Sequence, residues 1–158
     1  MKLTVVVITH EMQVVKEICD QVAIMENGRI VEKGDIVSIF TKPKEQITKN
    51  FMDTTNNSHK INELIENNHP LTQLEANQQL IRLSYSSTST KEAIISRISQ
   101  AYHIECSIIF GNIEVIQNEP IGTMIIVLTG EGEDIKKALQ YCKDNHVDVE
   151  VIKRGYID

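Results

Sequence analysis

Tryptophan is absent from this 158-residue chain, and phenylalanine and tyrosine contribute only three and four residues. Aromatics at 4% leave too few rings for a base-stacking surface of the kind that single-stranded nucleic acids use. Positive charge is scarce as well: 16 Lys and Arg stand against 22 Asp and Glu, for a net charge of -6 without a basic run. Neither nucleic acid nor an anionic membrane surface is therefore an expected direct contact. Cys19, Cys106 and Cys142 are odd in number and far apart, which fits neither a disulfide framework nor paired zinc ligands. Free thiols in a reducing compartment are expected. The longest apolar runs, residues 5–8 and 124–128, fall far short of the ~20 residues that a bilayer-spanning helix needs. No signal peptide is visible at the N-terminus, and the expected compartment is the cytoplasm.

What is present begins with Thr4-Val5-Val6-Val7-Ile8-Thr9-His10-Glu11, a β-branched run that ends in a histidine and a carboxylate. A buried parallel strand reads this way, and polar residues at its C-terminal edge lie where open α/β sheets bind ligands. The strand would open at residue 3 with no sheet before it, so the chain is expected to be the tail of a larger protein. Met12, Val15, Ile18, Cys19 and Val22 then follow at helical spacing, predicting a short helix over 11–20. Residues 21–25 and 29–33 read as a hairpin around Asn27-Gly28, the residue pair that supplies positive φ in a tight turn. Asp35 is placed to cap a brief helix over 36–40, and residues 48–51 add one more turn.

Between 53 and 79 the composition moves towards Asn, Gln, Ser and Thr, with one modest helix candidate at 61–67. Such a segment reads as a linker. From residue 80 onward the order is βαββαβ: a strand at 81–85, a helix at 91–103, strands at 105–116 and 121–129, a helix at 133–145 and a strand at 147–151. That order predicts an α+β, ferredoxin-like domain with both helices on one face of a four-stranded antiparallel sheet. In the strand 121–129, Ile125 and Val127 face one side while Met124, Ile126 and Leu128 face the other. Two helices cover one face, so the second is expected to pack on another subunit or domain, forming a homodimer with a ligand at the seam; the alternative is that the linker folds back over it.

Ile8-Thr9-His10-Glu11-Met12, Val22-Ala23-Ile24-Met25, the segment from Asn27-Gly28 to Gly34 and Phe40-Thr41-Lys42-Pro43 together resemble the end of an ABC-transporter nucleotide-binding domain, from its switch-histidine loop onward. Gly111-Asn112-Ile113, Pro120-Ile121-Gly122 and Leu128-Thr129-Gly130 resemble the NIL domain, an ACT-like regulatory unit. In this order the two resemble the ATPase subunit of the methionine importer. The resemblance implies a remnant of the nucleotide-binding domain over 1–52, a linker over 53–79 and a NIL domain over 80–158. It also implies peripheral attachment to the inner face of the cell membrane through a permease subunit. For His10 it implies an inherited catalytic role as the switch histidine, contacting the γ-phosphate of ATP and positioning water. For Ser107 and Ile113 it implies ligand binding, with methionine or a related amino acid as the ligand and feedback inhibition of uptake as the result.

Several absences bear on that inheritance. No glycine is followed by lysine, so the phosphate-cradling G-x-x-x-x-G-K-[ST] loop is missing, as are the family's signature motif and its magnesium-holding acidic strand. ATP and magnesium therefore belong to the full-length family, no cofactor is expected in this chain, and no ATPase activity is expected of it alone. Val14 stands where a zincin would need its second histidine. His59, His69, His103 and His146 have no Cys or carboxylate at ligand spacing, so no metal site is expected. Gly130-Glu131-Gly132-Glu133-Asp134 carries acids that repel phosphate and favour a helix N-terminus instead. The alternative reading is an independent ACT-like amino-acid sensor without a transporter partner. RNA binding, which the same βαββαβ plan can serve, lacks the aromatics and basic clusters it needs.

Overall fold

A computed structural model describes residues 3–55, 58–85 and 93–155. The chain forms two compact units, residues 1–55 and 56–158.

The first unit departs from expectation at its start. Residues 3–9 form no strand, and Leu3, Val6 and Ile8 are 77%, 84% and 94% exposed. A strand exists through its ladder of hydrogen bonds, and among the described residues none pairs with this segment. β-Branched composition alone does not replace that partner. Helix α1 (Met12–Ile18) buries Met12 and Val15, as the spacing predicts. Strands β1 (Gln21–Glu26) and β2 (Arg29–Asp35) form the antiparallel hairpin, with φ of 49° at Asn27 and 76° at Gly28. Asp35 caps α2 (Ile36–Thr41) by accepting the Ser38 amide at 2.8 Å. Beyond it, α3 (Gln46–Thr55) is longer than the single turn expected.

A buried carboxylate fixes the entry to α3. Glu32 on β2 accepts the Lys44 amide at 3.0 Å and the Glu45 amide at 3.1 Å, closing the chain back onto the hairpin. Burial pushes the Glu32 pKa up, but the neighbouring Thr48 hydroxyl, the two amides and the Lys44 ammonium outweigh it, and the net position lies below the ordinary 4.5. Thr48 Oγ1 acts there by proximity, since it meets no hydrogen-bond geometry. Because the folded-state value is depressed, this stabilisation is present above the unfolded value and is lost as pH falls through the folded one. Hydrogen exchange should show it: protection of the Lys44 and Glu45 amides weakens as pH drops below 4.5, and Glu32→Gln removes most of that pH dependence.

The second unit carries the sheet. Strands β3 (Gln78–Tyr85), β4 (Glu105–Ile116), β5 (Glu119–Thr129) and β6 (Asp148–Arg154) are ordered β4-β5-β3-β6, with every neighbouring pair antiparallel. Helices α5 (Ile94–Tyr102) and α6 (Gly132–Asp144) cover one face. There Ile81, Leu83, Ile126 and Leu128 pack with Ile94, Ile98, Ile135 and Ala138 in one core. Residues 91 and 92 of the expected helix lie outside the described residues. The hairpin between β4 and β5 turns on Gln117 and Asn118 alone, with φ of 50° and 67°, so Glu119 and Pro120 extend β5 rather than forming a four-residue loop.

The opposite face corrects a second expectation. It is not left for another subunit: α4 (Ser58–Glu66), from the segment expected to be a linker, lies over it. Ile61 is buried against Leu80, Ile125 and Val127, with Leu64, Ile65 and Leu74 around them. Ile61, Leu64 and Ile65 recur at i, i+3 and i+4, a short apolar stripe sufficient for one helix to dock. The fully buried Thr72 holds the end of this segment. Its hydroxyl lies 3.1 Å from the Leu64 carbonyl and 2.9 Å from that of His69, and Lys153 of β6 donates to the Thr72 carbonyl at 3.1 Å.

A hollow beside the first turn of α5

Strand β4 is an edge strand, and its pairing with β5 is interrupted once, between Ile108 and Phe110. Before this bulge Ser107 stands opposite Val127, on the α4 face. After it Ile113 stands opposite Gly122, on the α5–α6 face. An even separation of six residues would place both on one face in a regular strand, and the extra residue reverses that parity. The structure therefore does not bring Ser107 and Ile113 together.

Ile113 does border a cavity of about 200 Å³. Its floor is strand: Tyr85 of β3, Gly122 and Met124 of β5, and Asn112 and Ile113 of β4. Its wall is the beginning of α5, from Ala93 through Ile94 and Ile95 to Ser96. Glycine makes the hollow. Gly122 pairs with both Tyr85 and Ile113, and a Cβ there would lie 3.4 Å from the Tyr85 Cβ. Gly111, opposite Met124, likewise contributes no side chain, and a Cβ there would meet nothing within 4 Å. Ala93, at the N-cap of α5, makes no side-chain cap bond, and residues 93–96 border the hollow. Most of the lining is apolar, and the volume is below the ~300–1,000 Å³ of drug-sized sites, which suits a ligand of amino-acid size.

Tyr85, Ile94, Ile95, Gly122 and Met124 are site residues that the sequence reading did not single out. Gly122, a glycine inside an otherwise apolar strand, was the available signal for a hollow or a close approach. Burial, followed by the nearby Cys142 and Cys106 thiols, pushes the Tyr85 phenol up to about 12. Burial likewise raises Cys142 to about 11 and moves Cys106 upward, so neither is primed as a nucleophile.

His10, in the first unit, is 90% exposed in its side chain, with Nε2 3.7 Å from Glu11 Oε1. The other described histidines end or begin local elements. His69 Nδ1 accepts the Leu71 amide at 3.3 Å, and His103 and His146 follow α5 and α6 with φ of 55° and 60°. The side chain of His59 lies outside the described residues. Among the described residues no group of His, Cys, Asp and Glu is arranged to hold a metal ion, and no helix is long and apolar enough to cross a membrane. Glu131 precedes α6, with Glu133 and Asp134 in its first turn, so the Gly130–Gly132 segment leads into a helix favoured by acids.

The fold is mixed α and β with two separate sheets. Residues 79–151 match the NIL domain family. Over nearly all of its length the chain is similar to ATP-binding subunits of the methionine importer, and residues 79–151 carry the NIL domain match. It is 44% identical over 155 residues to methionine import ATP-binding protein MetN 1 of Enterococcus faecalis, and 42% identical over 153 residues to MetN 2 of Oenococcus oeni. Each alignment covers 97% of this chain but 43% of the relative, so the chain spans less than half the length of those proteins. Among solved structures, the C-terminal domain of an ABC transporter ATP-binding protein from Enterococcus faecalis is 34% identical. That match covers 58% of this chain and 94% of the other, with a TM-score of 0.47.

Proposed function

We propose that this chain is the regulatory end of a methionine-import ATP-binding subunit, in which the NIL domain senses cytoplasmic methionine and restrains ATP-driven uptake. The observation that carries the reading is the apolar hollow bordered by Ile113, Met124 and the start of α5. A thioether chain suits the apolar lining, and a helix N-terminus favours the carboxylate of an amino acid. The strand order β6-β3-β5-β4, with α5 and α6 on one face, supports reading the domain as ferredoxin-like and ACT-like. Ile113 is proposed as a wall of the ligand site. Ser107 is proposed to act from the opposite face, towards a ligand or a second copy.

Homodimerisation is proposed through β4 rather than through the face beneath α4. Ile108, Ile113 and Val115 are 57%, 75% and 67% exposed on this edge strand, and a second copy would remove them from water. Feedback then needs only a ligand that prefers one arrangement of the paired subunits, since coupling is the difference of its affinities for the two. In the assembled subunit His10 takes the switch-histidine role toward ATP, with ATP and magnesium held by parts of the family that this sequence lacks. The subunit works at the cytoplasmic face of the membrane beside its permease.

Calorimetry of the whole chain with L-methionine tests the reading. Saturable heat for L-methionine, weaker or absent for other amino acids, is expected, and silence for every amino acid overturns it. In the same preparation Ile113→Lys should shift sedimentation from dimer to monomer, whereas a monomeric parent chain at micromolar concentration removes the dimer from the proposal.

A further inference from the structure

Helix α4 holds the sheet by few side chains. Among the described residues the cluster beneath it has four buried members, Ile61, Leu80, Ile125 and Val127, against twelve in the α5–α6 core, and Ile61 alone comes from α4. Lifting α4 therefore separates Ile61, with Leu64 and Ile65 beside it, from three side chains whose strands stay paired. The segment also keeps its own shape. The Asn67 and His69 amides donate to the Glu63 and Leu64 carbonyls, each at 2.9 Å, and the Thr72 hydroxyl reaches the Leu64 carbonyl at 3.1 Å, so α4 and the turn after it are bonded to one another. Its two ends are held differently. At the far end Lys153 of β6 donates to the Thr72 carbonyl, an anchor about which α4 can swing. At the near end two residues separate Thr55 of α3 from Ser58 of α4, a join that reaches only about 10 Å even when fully extended.

We propose that α4 is a detachable strap: it swings off the sheet about Thr72 while the α5–α6 core stays closed, and the order of the first unit, acting through α3, sets how often it does so. Segments with few buried apolar contacts open locally, at a lower free energy than the whole domain. A folded α3 restricts where the first turn of α4 can lie, so part of the entropy of docking α4 is already lost before it docks. Disorder in the first unit restores that freedom and loosens the strap. Coupling between two distant parts of a chain needs an element with two arrangements whose equilibrium both parts bias, and α4 is such an element: its far end is tied to the sheet and its near end to α3. The strap involves no ligand and stands apart from the methionine reading.

Thiol labelling of the whole chain tests the strap, with labelled positions assigned by mass spectrometry and each rate referred to the same thiol in the urea-unfolded chain. Leu80→Cys and Leu83→Cys are the reporters: both leucines belong to β3 and are 0% exposed, but the first lies beneath α4 and the second beneath α5 and α6. The thiol at 80 should label ~10-fold or more faster than the thiol at 83 without denaturant. Adding Ile36→Ala, a truncation of a fully buried residue of α2 in the first unit, should speed labelling at 80 by a further ~2-fold to ~30-fold and leave position 83 unchanged. Equal rates at 80 and 83 overturn the strap, since α4 then leaves only when the whole second unit opens. Faster labelling at 80 that Ile36→Ala does not alter overturns the link to the first unit, and the proposal with it. If either leucine variant fails to fold, seen as Cys142 labelling at its unfolded rate, Ile125→Cys and Ile126→Cys repeat the comparison on β5, where the same outcomes count for and against.

Discussion

Ile61→Asp should cost the chain helix α4 and uncover one face of the sheet. Ile61 is 4% exposed and touches the apolar ridge of Leu80, Ile125 and Val127, two of them fully buried. Removing it forfeits ~1.5–3 kcal/mol of burial, and an aspartate in its place must leave the contact or neutralise. A helix of nine residues is marginal in water without tertiary support, so undocking and unwinding should coincide. Loss of helical circular dichroism, binding of a hydrophobic dye and faster exchange at the Leu80 and Ile125 amides are the expected results. An unchanged exchange pattern would mean that α4 does not cover the sheet in solution.

Ile125→Ala should destabilise the chain by ~2–5 kcal/mol in urea unfolding, as much as truncation of a core residue on the α5–α6 side. From Ile125 to Leu128 the exposures are 0%, 0%, 7% and 0%, because α5 and α6 cover one face of β5 and α4 the other. A sheet with a solvated second face would make Ile125→Ala nearly neutral, within the ~0.5 kcal/mol usual for surface changes. Val115→Ala, on the exposed part of β4, supplies that comparison. Equal small effects at 115 and 125 would contradict the roofed sheet.

These two outcomes bear on a feature that residue patterns foretold only in half. Both faces of β5 are apolar, which is visible in the sequence and requires a second cover. The choice of cover depended on a weak stripe, Ile61, Leu64 and Ile65, in a segment whose overall polarity reads as linker. The N-terminal run failed differently: its β-branched residues suit a strand, yet pairing is a property of two segments and the described residues supply no second one. The Asn27-Gly28 turn and the Asp35 cap were legible because each depends on nearest neighbours alone. The bulge near Ile109 was not, since three apolar residues in a row carry no mark of where the ladder skips. That skip decides which candidate residue reaches the hollow: Ile113 does and Ser107 does not.

The sequence by itself determined the order of elements, the helix-facing core from Ile81 to Val147 and the resemblance to a family, since periodicity, turn residues and motifs are local and survive without a partner. Tertiary structure alone decided that α4 roofs the sheet, that the exposed apolar residues lie on the β4 edge, and that Tyr85, Gly122 and the start of α5 enclose one hollow. The physical reason is that each of these depends on segments distant in sequence meeting in a register that one inserted residue can reverse.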